Sequence, residues 1–139
     1  MLWLYRFLFL PALLVLAPRY LWRMRRRGGY RARFSHRFGG QPQLPPKTPG
    51  RRRIWLQAVS VGELLAIGRI LEALQHDGCD IYLTTTTSTG KHLADERYQG
   101  FAAGIGYPPR DWWWFSARAW RKIDPDLVIL TEGERWPEH

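Results

Sequence analysis

The sequence lacks several residue patterns, and each absence excludes a class of protein. Cys79 is the only cysteine, so the chain has neither a disulfide framework nor a thiolate metal site, as expected for a reducing cytosol. None of the histidines has metal-ligand spacing, and neither a P-loop nor a G-x-G-x-x-G pattern occurs. We therefore expect no metal and no dinucleotide bound through these motifs.

Acidic residues are also missing from the N-terminal part of the chain. Residues 1–53 hold 13 Lys and Arg and no Asp or Glu, whereas residues 54–139 hold 8 basic and 12 acidic residues. The net charge of +9 thus comes from the N-terminal arm. A nucleic-acid-binding domain carries its basic surface on the folded domain itself, so this distribution predicts no nucleic-acid partner. It favours an arm that binds an anionic surface.

The start of the arm predicts a membrane anchor. Residues 2–22 are apolar except for Arg6, Arg19 and two prolines. As a helix rising about 1.5 Å per residue, they would cover roughly the 30 Å of a bilayer's hydrocarbon core. Pro11 and Pro18 would kink or end such a helix, so a span and a helix lying in one leaflet both stay open.

A cluster of arginines follows the anchor. Such a juxtamembrane cluster stays on the cytoplasmic side and attracts acidic lipid headgroups. The sequence therefore predicts a protein of the cytoplasmic (inner) membrane whose globular part faces the cytosol. The cluster consists of Arg23, Arg25, Arg26, Arg27, Arg31, Arg33 and Arg37.

The remaining composition divides the chain into three regions. Residues 1–22 are the anchor, residues 23–50 are a basic segment ending in a Pro/Gly-rich linker at Gly39 to Gly50, and residues 51–139 are the globular domain. Within that domain, apolar strands are predicted to start near residues 54, 81, 101 and 127. Helices are predicted between them, the later two at Lys91 to Tyr98 and at Asp111 to Ile123. This alternation predicts an α/β, Rossmann-like parallel sheet with flanking helices.

The stretch from Ile54 to Leu74 organises the domain. A near-continuous apolar run predicts a buried strand, and an apolar stripe at helical spacing predicts a helix that packs back on the sheet. Ser60, Gly62 and Glu63 lie at the turn between the two, and Glu63 falls in the first turn of the helix. Because open parallel sheets bind ligands at the carboxyl ends of their strands, this turn is a candidate site. The stripe consists of Leu64, Ile67, Leu71 and Leu74.

Other polar groups are predicted at the same edge. Glu63 and one of Glu132 and Glu134 form a hypothetical pair of carboxylates suited to acid/base chemistry on sugar hydroxyls. The threonines at 84–87 fit a phosphate or sugar site, and they equally fit an ordinary strand and helix cap. Trp112, Trp113 and Trp114 are adjacent and cannot share one helical face, so some must be exposed or must contact a partner.

Four motifs resemble a known family in order and spacing. They are AVSVGE at Ala58 to Glu63, TTTTSTG at Thr84 to Gly90, YPPRD at Tyr107 to Asp111 and TEGERWP at Thr131 to Pro137. Together with the anchor and the basic segment YRARFSHRFGG, they resemble the N-terminal domain of 3-deoxy-D-manno-octulosonic acid (Kdo) transferases. The resemblance covers essentially the whole chain.

The resemblance implies a GT-B glycosyltransferase of lipopolysaccharide biosynthesis. Such an enzyme transfers Kdo from CMP-Kdo to lipid A precursor with inversion, without a metal. The resemblance implies that Glu63 is the general base. It also implies that Glu134 is a second carboxylate on the acceptor side, with Glu132 beside it. Ser60 and Gly62 would shape the turn. With the threonine run, the resemblance makes Thr86 and Thr87 candidate substrate-binding residues.

The chain also departs from the family pattern. Gln57 stands where the family usually has histidine, Arg135 replaces an apolar residue and Glu138 an amide. We expect a truncated product or a fragment of a longer reading frame, the first and incomplete half of the enzyme, which is inactive without a C-terminal donor-binding half as its partner. The alternative is a non-catalytic, membrane-anchored module that binds acidic lipid or lipopolysaccharide precursor.

Overall fold

The computed structural model describes residues 2–27 and 33–131. An N-terminal helix, α1, spans Leu2–Arg27, and a 3₁₀ helix spans Phe34–Phe38. The remaining described chain alternates strands with helices, as the sequence predicts. Its strands are β1 (Arg53–Ala58), β2 (Asp80–Thr85), β3 (Gly104–Gly106) and β4 (Leu127–Leu130), and its helices are α2 (Val61–Ala66), α3 (Gly68–His76), α4 (Ser88–Tyr98) and α5 (Trp113–Ile123).

The four strands of the described region form one parallel sheet in the order β3-β2-β1-β4. The prediction of an α/β, Rossmann-like sheet with flanking helices is confirmed. Because every strand runs in the same direction, the strand C-termini lie along one edge, which we call the carboxyl edge. Ala58 of β1 pairs with Thr85 of β2, so these two strands end side by side.

Two apolar layers cover the sheet. On one face, Leu56 and Leu83 pack with Leu64 and Leu71 from α2 and α3. On the other face, Trp55 and Tyr82 pack with residues of α5. Strands β1 and β2 are therefore buried on both sides, which explains their near-continuous apolar runs.

Some element boundaries differ from the sequence prediction. The helix after Glu63 is two helices, α2 and α3, which meet at Ile67. The strand predicted from Phe101 begins only at Gly104, because the amide N–H groups of Phe101 and Ala102 still donate to the carbonyl of Tyr98 at the end of α4. Gly78, just past the end of α3, adopts a left-handed conformation with φ of 72°.

The predicted linker at Gly39 to Gly50 contains neither helix nor strand, but it packs onto the sheet. Leu44 joins the apolar layer of Trp55 and Tyr82. The side chain of Gln41 is buried, accepts a hydrogen bond from Tyr82 Oη at 2.6 Å and donates to the carbonyls of His36 (2.9 Å) and Tyr107 (3.1 Å). The segment thus ties the 3₁₀ helix to the sheet.

Helix α1 exposes many large apolar side chains, including Trp3, Phe7 and Val15 at 81%, 77% and 77%. Its Phe9 stacks on Trp112, with ring centroids 5.0 Å apart. Within residues 2–27 and 33–131, no helix is both long and apolar enough to cross a membrane.

Candidate active site at the carboxyl edge

The strand order creates a switch point between β1 and β4. From β1 the chain proceeds through β2 to β3 on one side, and it then returns through α5 to place β4 on the other side of β1. In open α/β sheets, ligands bind outside the carboxyl ends of the strands at such a reversal. A ligand site is therefore expected at the carboxyl ends of β1 and β4.

Glu63 lies at this switch point. One of its carboxylate oxygens, Oε2, accepts hydrogen bonds from the amide N–H of Val59 at 2.8 Å and from the hydroxyl of Thr131. Thr131 follows β4, and its own amide donates to the carbonyl of Gln57 in β1 at 3.2 Å. Glu63 thus links the ends of the two strands that flank the switch point.

Ser60 holds the other oxygen of the same carboxylate. As the N-cap of α2, its Oγ accepts from the amide of Glu63 at 3.3 Å and donates to Glu63 Oε1 at 2.7 Å. This reciprocal arrangement is a variant of the capping box, with Val59 as the backbone donor to the glutamate. The structure therefore brings Ser60 and Glu63 together, as their sequence spacing suggests.

The pKa of Glu63 is lowered from its ordinary value of 4.5. Partial burial of the carboxylate raises the pKa, but the hydrogen bonds from Thr131, Val59 and Ser60 outweigh this effect by stabilising the anion. Glu63 is accordingly ionised at neutral pH and can accept a proton. In this hydrogen-bonded state it is a weak base.

Gly62 lies in the first turn of α2 and is exposed. A Cβ atom placed on Gly62 would come no closer than 3.9 Å to Ser60 Oγ, and its φ is not positive. Nothing in the described fold therefore requires glycine at this position. The absence of a side chain leaves the surface beside Glu63 open.

The four threonines at 84–87 differ in whether the fold uses their hydroxyl groups. Thr84 accepts a hydrogen bond from Trp55 Nε1 at 2.9 Å, and Thr87 caps α4 by accepting from the amide of Gly90 at 3.0 Å. These two contacts are those of an ordinary strand residue and an ordinary cap. The hydroxyls of Thr85 and Thr86 are buried and have no hydrogen-bond partner in the part of the chain that the structure describes. Of the two predicted substrate-binding threonines, Thr86 therefore has the hydroxyl that is not used by the fold.

Arg37 and Thr131 belong to the carboxyl edge, although the sequence did not single them out for it. Arg37 was assigned to the lipid-binding arm, but its side chain is buried and its Nη2 donates to the carbonyl of Thr86 at 3.2 Å. Its guanidinium also lies 4.5 Å from the centroid of the Tyr107 ring. The position of Arg37 within the family-like segment YRARFSHRFGG was the available signal, as was the position of Thr131 at the start of TEGERWP.

Several predicted site residues cannot be located in the same way. Glu132, Glu134 and Arg31 lie outside the described residues. Arg23, Arg25, Arg26 and Arg27 belong to α1, but their side chains also lie outside the described part. Arg33 is described, and its Nη1 donates to the carbonyl of Ile105 at 2.5 Å, so this arginine is attached to β3.

Comparison with known proteins identifies a family. The sequence profile described as 3-deoxy-D-manno-octulosonic-acid transferase (kdotransferase) matches residues 32–139. A 3-deoxy-D-manno-octulosonic acid transferase of Bordetella pertussis is 34% identical over 129 aligned residues, in an alignment that covers 85% of this chain and 29% of that protein. Proteins of the same name from Chlamydia trachomatis serovar D and Haemophilus influenzae are 29% and 32% identical over 90% and 78% of this chain.

The chain corresponds to only part of each of these relatives. The chain spans 29% of the length of the Bordetella and Chlamydia relatives and 25% of the Haemophilus relative. No solved structure matches the chain. The match over most of this chain nevertheless shows that it belongs to the 3-deoxy-D-manno-octulosonic acid transferase family.

Proposed function

We propose that this chain forms the acceptor-side part of a Kdo transferase of lipopolysaccharide biosynthesis, with Glu63 as its general base. Family membership supports the class of reaction. The observation that carries the proposal is the position of Glu63, an ionised carboxylate at the switch point between β1 and β4. CMP-Kdo as donor and lipid A precursor as acceptor follow from the family resemblance.

In the proposed reaction, an acceptor hydroxyl attacks the anomeric carbon of Kdo. The new C–O bond forms as the bond to the phosphate of CMP breaks, CMP leaves with the bonding electrons, and the hydroxyl proton passes to Glu63. A single direct displacement inverts the anomeric configuration and requires one base. We predict that it requires no metal.

The lowered pKa of Glu63 constrains this mechanism. A carboxylate that accepts three hydrogen bonds holds a proton poorly, so the acceptor hydroxyl must replace part of that network as it binds. The hydroxyl of Ser60 is the simplest donor to displace, because its hydrogen can turn away from Oε1 by rotation about the Cβ–Oγ bond while Oγ still accepts from the amide of Glu63. Loss of this hydrogen bond raises the pKa of Glu63 toward the value that a base needs.

The donor requires residues beyond this chain. Because the chain spans under a third of its relatives' length, we propose that the CMP-Kdo site is completed by the portion that corresponds to the rest of those proteins. That portion would be supplied by a longer form of the same polypeptide or by a second chain. We expect no Kdo transfer by the 139 residues alone.

We further propose that the protein works at the cytoplasmic membrane with its sheet in the cytosol. The exposed apolar side chains of α1 and the arginines after residue 22 support attachment to a bilayer that contains anionic lipid. Attachment there would place the acceptor-side residues near a lipid-linked acceptor.

The test is a Kdo transfer assay with a chimeric enzyme. Residues 33–131 of this chain replace the aligned residues of the Bordetella pertussis relative, and the product is followed from CMP-Kdo to lipid A precursor. Transfer by the chimera, with none by the isolated chain, supports the proposal. Transfer by the isolated 139-residue chain would overturn the requirement for a second half, and an inactive, correctly folded chimera would argue against the acceptor-side role.

The alternative is a non-catalytic membrane module that binds acidic lipid or lipopolysaccharide precursor. The observation in its favour is that both oxygens of Glu63 already accept hydrogen bonds from within the chain, as expected of a carboxylate with a purely structural role. Under this alternative, replacing Glu63 lowers stability and leaves transfer by the chimera unchanged.

A further inference from the structure

A second exposed apolar surface lies on α5, separate from α1. The outward face of this helix carries two strongly exposed tryptophans, Trp113 at 46% and Trp114 at 57%, which contact each other with ring centroids 5.8 Å apart. The opposite face is buried through Ala119 and Ile123 in the apolar layer that covers Trp55 and Tyr82. The tryptophans are thus not needed to attach α5 to the sheet.

Basic residues accompany the tryptophans on the same face. Arg118 and Arg121 are exposed, and α5 contains no acidic residue along its length. Of the flanking carboxylates, Asp111 is buried at 8% exposure, and Asp124, past the other end of the helix, pairs at 3.2 Å with Lys47, which also pairs with Asp126 at 2.8 Å. Tryptophan and arginine together on a helical face without acidic residues are typical of a helix that lies in the headgroup region of an anionic bilayer.

The position of α5 connects this face to α1 and to the candidate site. Phe9 of α1 stacks on Trp112, the residue that caps α5, so the apolar side chains of α1 approach the start of α5. In addition, α5 begins directly after the loop that leaves the carboxyl end of β3, so Trp113 and Trp114 lie at the same end of the domain as Glu63 and Thr131.

We propose that the Trp113–Trp114–Arg118–Arg121 face of α5 is a second membrane-binding surface, which lies on an anionic phospholipid bilayer and turns the carboxyl edge toward the membrane. This surface binds the bilayer in addition to α1. It does not depend on transferase activity, and it orients the domain on the bilayer.

The test is position-specific labelling of the full chain. Cys79→Ser first removes the native cysteine. A single cysteine is then introduced at one of two exposed alanines, as Ala117→Cys or as Ala73→Cys. Position 117 lies on the outward face of α5, and position 73 lies on α3, which packs on the opposite face of the sheet. Each cysteine carries an environment-sensitive fluorophore. The vesicles are phosphatidylcholine with added phosphatidylglycerol, or phosphatidylcholine alone. We expect a blue shift at position 117 with the anionic vesicles and none at position 73.

Partition coefficients provide a second measurement. Replacing Arg118 and Arg121 with glutamine should weaken binding to the anionic vesicles by about fivefold for each charge. Replacing Trp113 and Trp114 with alanine should weaken it by about tenfold or more. The matched controls, Arg69→Gln for charge and Ile70→Ala for apolar surface, lie exposed on α3 and should leave binding unchanged.

Three outcomes would overturn the proposal. One is the absence of a shift at position 117, or an equal shift at both positions. Another is self-association of the chain, detected by sedimentation velocity without lipid and abolished by the tryptophan substitutions. That result would show that the face binds a second copy of the chain. The third is binding of a single-stranded oligonucleotide that competes with vesicles. None of these experiments measures Kdo transfer, so a negative result would count against the membrane-binding surface and not against the proposed reaction.

Discussion

The hydroxyl of Thr131 donates a hydrogen bond to the carboxylate of Glu63 across the boundary between β4 and β1. The two residues are 68 positions apart in sequence, and the contact joins the first turn of α2, which follows the first strand, to the end of the last strand that the structure describes. Two of the family-like motifs, AVSVGE and TEGERWP, therefore meet at the switch point. This contact defines the candidate active site more closely than either motif alone.

The hydroxyl of Thr131 should help to keep the pKa of Glu63 low. Thr131→Val removes one donor to the carboxylate while keeping the side-chain shape, so the pKa of Glu63 should rise. Carboxyl-detected NMR titration measures this change. Thr89→Val, at an exposed threonine in the first turn of α4, is the control and should leave the titration of Glu63 as it is. An unchanged titration in Thr131→Val would contradict the contact.

His36 should make stability depend on pH. Burial, and then the positive charges of Arg33, Lys91 and Lys122, lower the pKa of His36 from 6.5 to about 4. Between these values the unfolded chain binds more protons than the folded chain, so this contribution to stability is complete above pH 6.5 and is lost as the pH falls toward 4. The free energy of unfolding should fall by about 2 kcal/mol between pH 7 and pH 5.

Urea denaturation at several pH values checks the effect of His36. In His36→Asn, this pH dependence should largely disappear between pH 5 and pH 6.5. Glu63 contributes in a different window: because its folded pKa lies below 4.5, its stabilisation is present above pH 4.5 and lost below it. If the free energy of unfolding depended on pH equally in wild type and in His36→Asn, the imidazole of His36 would not be kept neutral by burial.

Gln41 should be required for stability. Gln41→Ala would leave the hydroxyl of Tyr82 and the carbonyls of His36 and Tyr107 without their present partner in the interior, and it would also open a cavity. The expected cost is about 2 to 4 kcal/mol in the free energy of unfolding. Gln43→Ala is the matched control, because Gln43 is exposed, and it should change stability by less than about 0.5 kcal/mol.

A side chain at Gly62 should affect folding stability and acceptor binding differently. Alanine fits at this helical position without a clash, so Gly62→Ala should raise the free energy of unfolding by about 0.5 to 1 kcal/mol. If the acceptor approaches Glu63 over this surface, the same change should raise KM for the acceptor in the chimera. Higher stability with unchanged transfer kinetics would place the acceptor elsewhere.

The sequence predicted the elements of the fold well because their periodicities are strong. The apolar run of β1 and the stripe of Leu64, Ile67, Leu71 and Leu74 each indicate one conformation, and burial confirms them except that Leu74 is only partly covered. The strand order was not predictable in this way, because local pattern does not show on which side of β1 the last strand lies. The switch point, and with it the role of Thr131, therefore appeared only in the structure.

Arg37 illustrates a second limit of the sequence. Its place in a run of arginines suggested a solvated or lipid-facing charge, since composition cannot distinguish one arginine of a cluster from another. The left-handed residues Arg33 and Gly39, with φ of 59° and 71°, enclose the 3₁₀ helix that carries Arg37. That helix packs against α5 through Phe38 and Phe115, and Arg37 then reaches the carbonyl of Thr86. Tertiary packing, and not local charge, determines its position.

The most direct measurement of the proposed role of Glu63 is the rate of Kdo transfer by the chimeric enzyme carrying Glu63→Gln. Glutamine preserves the size of the side chain but cannot accept the hydroxyl proton, so kcat should fall by about 10² to 10⁴-fold. Glu72→Gln, at an exposed glutamate on α3, is the matched control and should transfer Kdo at the parent rate. A folded Glu63→Gln chimera with undiminished kcat would contradict the assignment of Glu63 as the base.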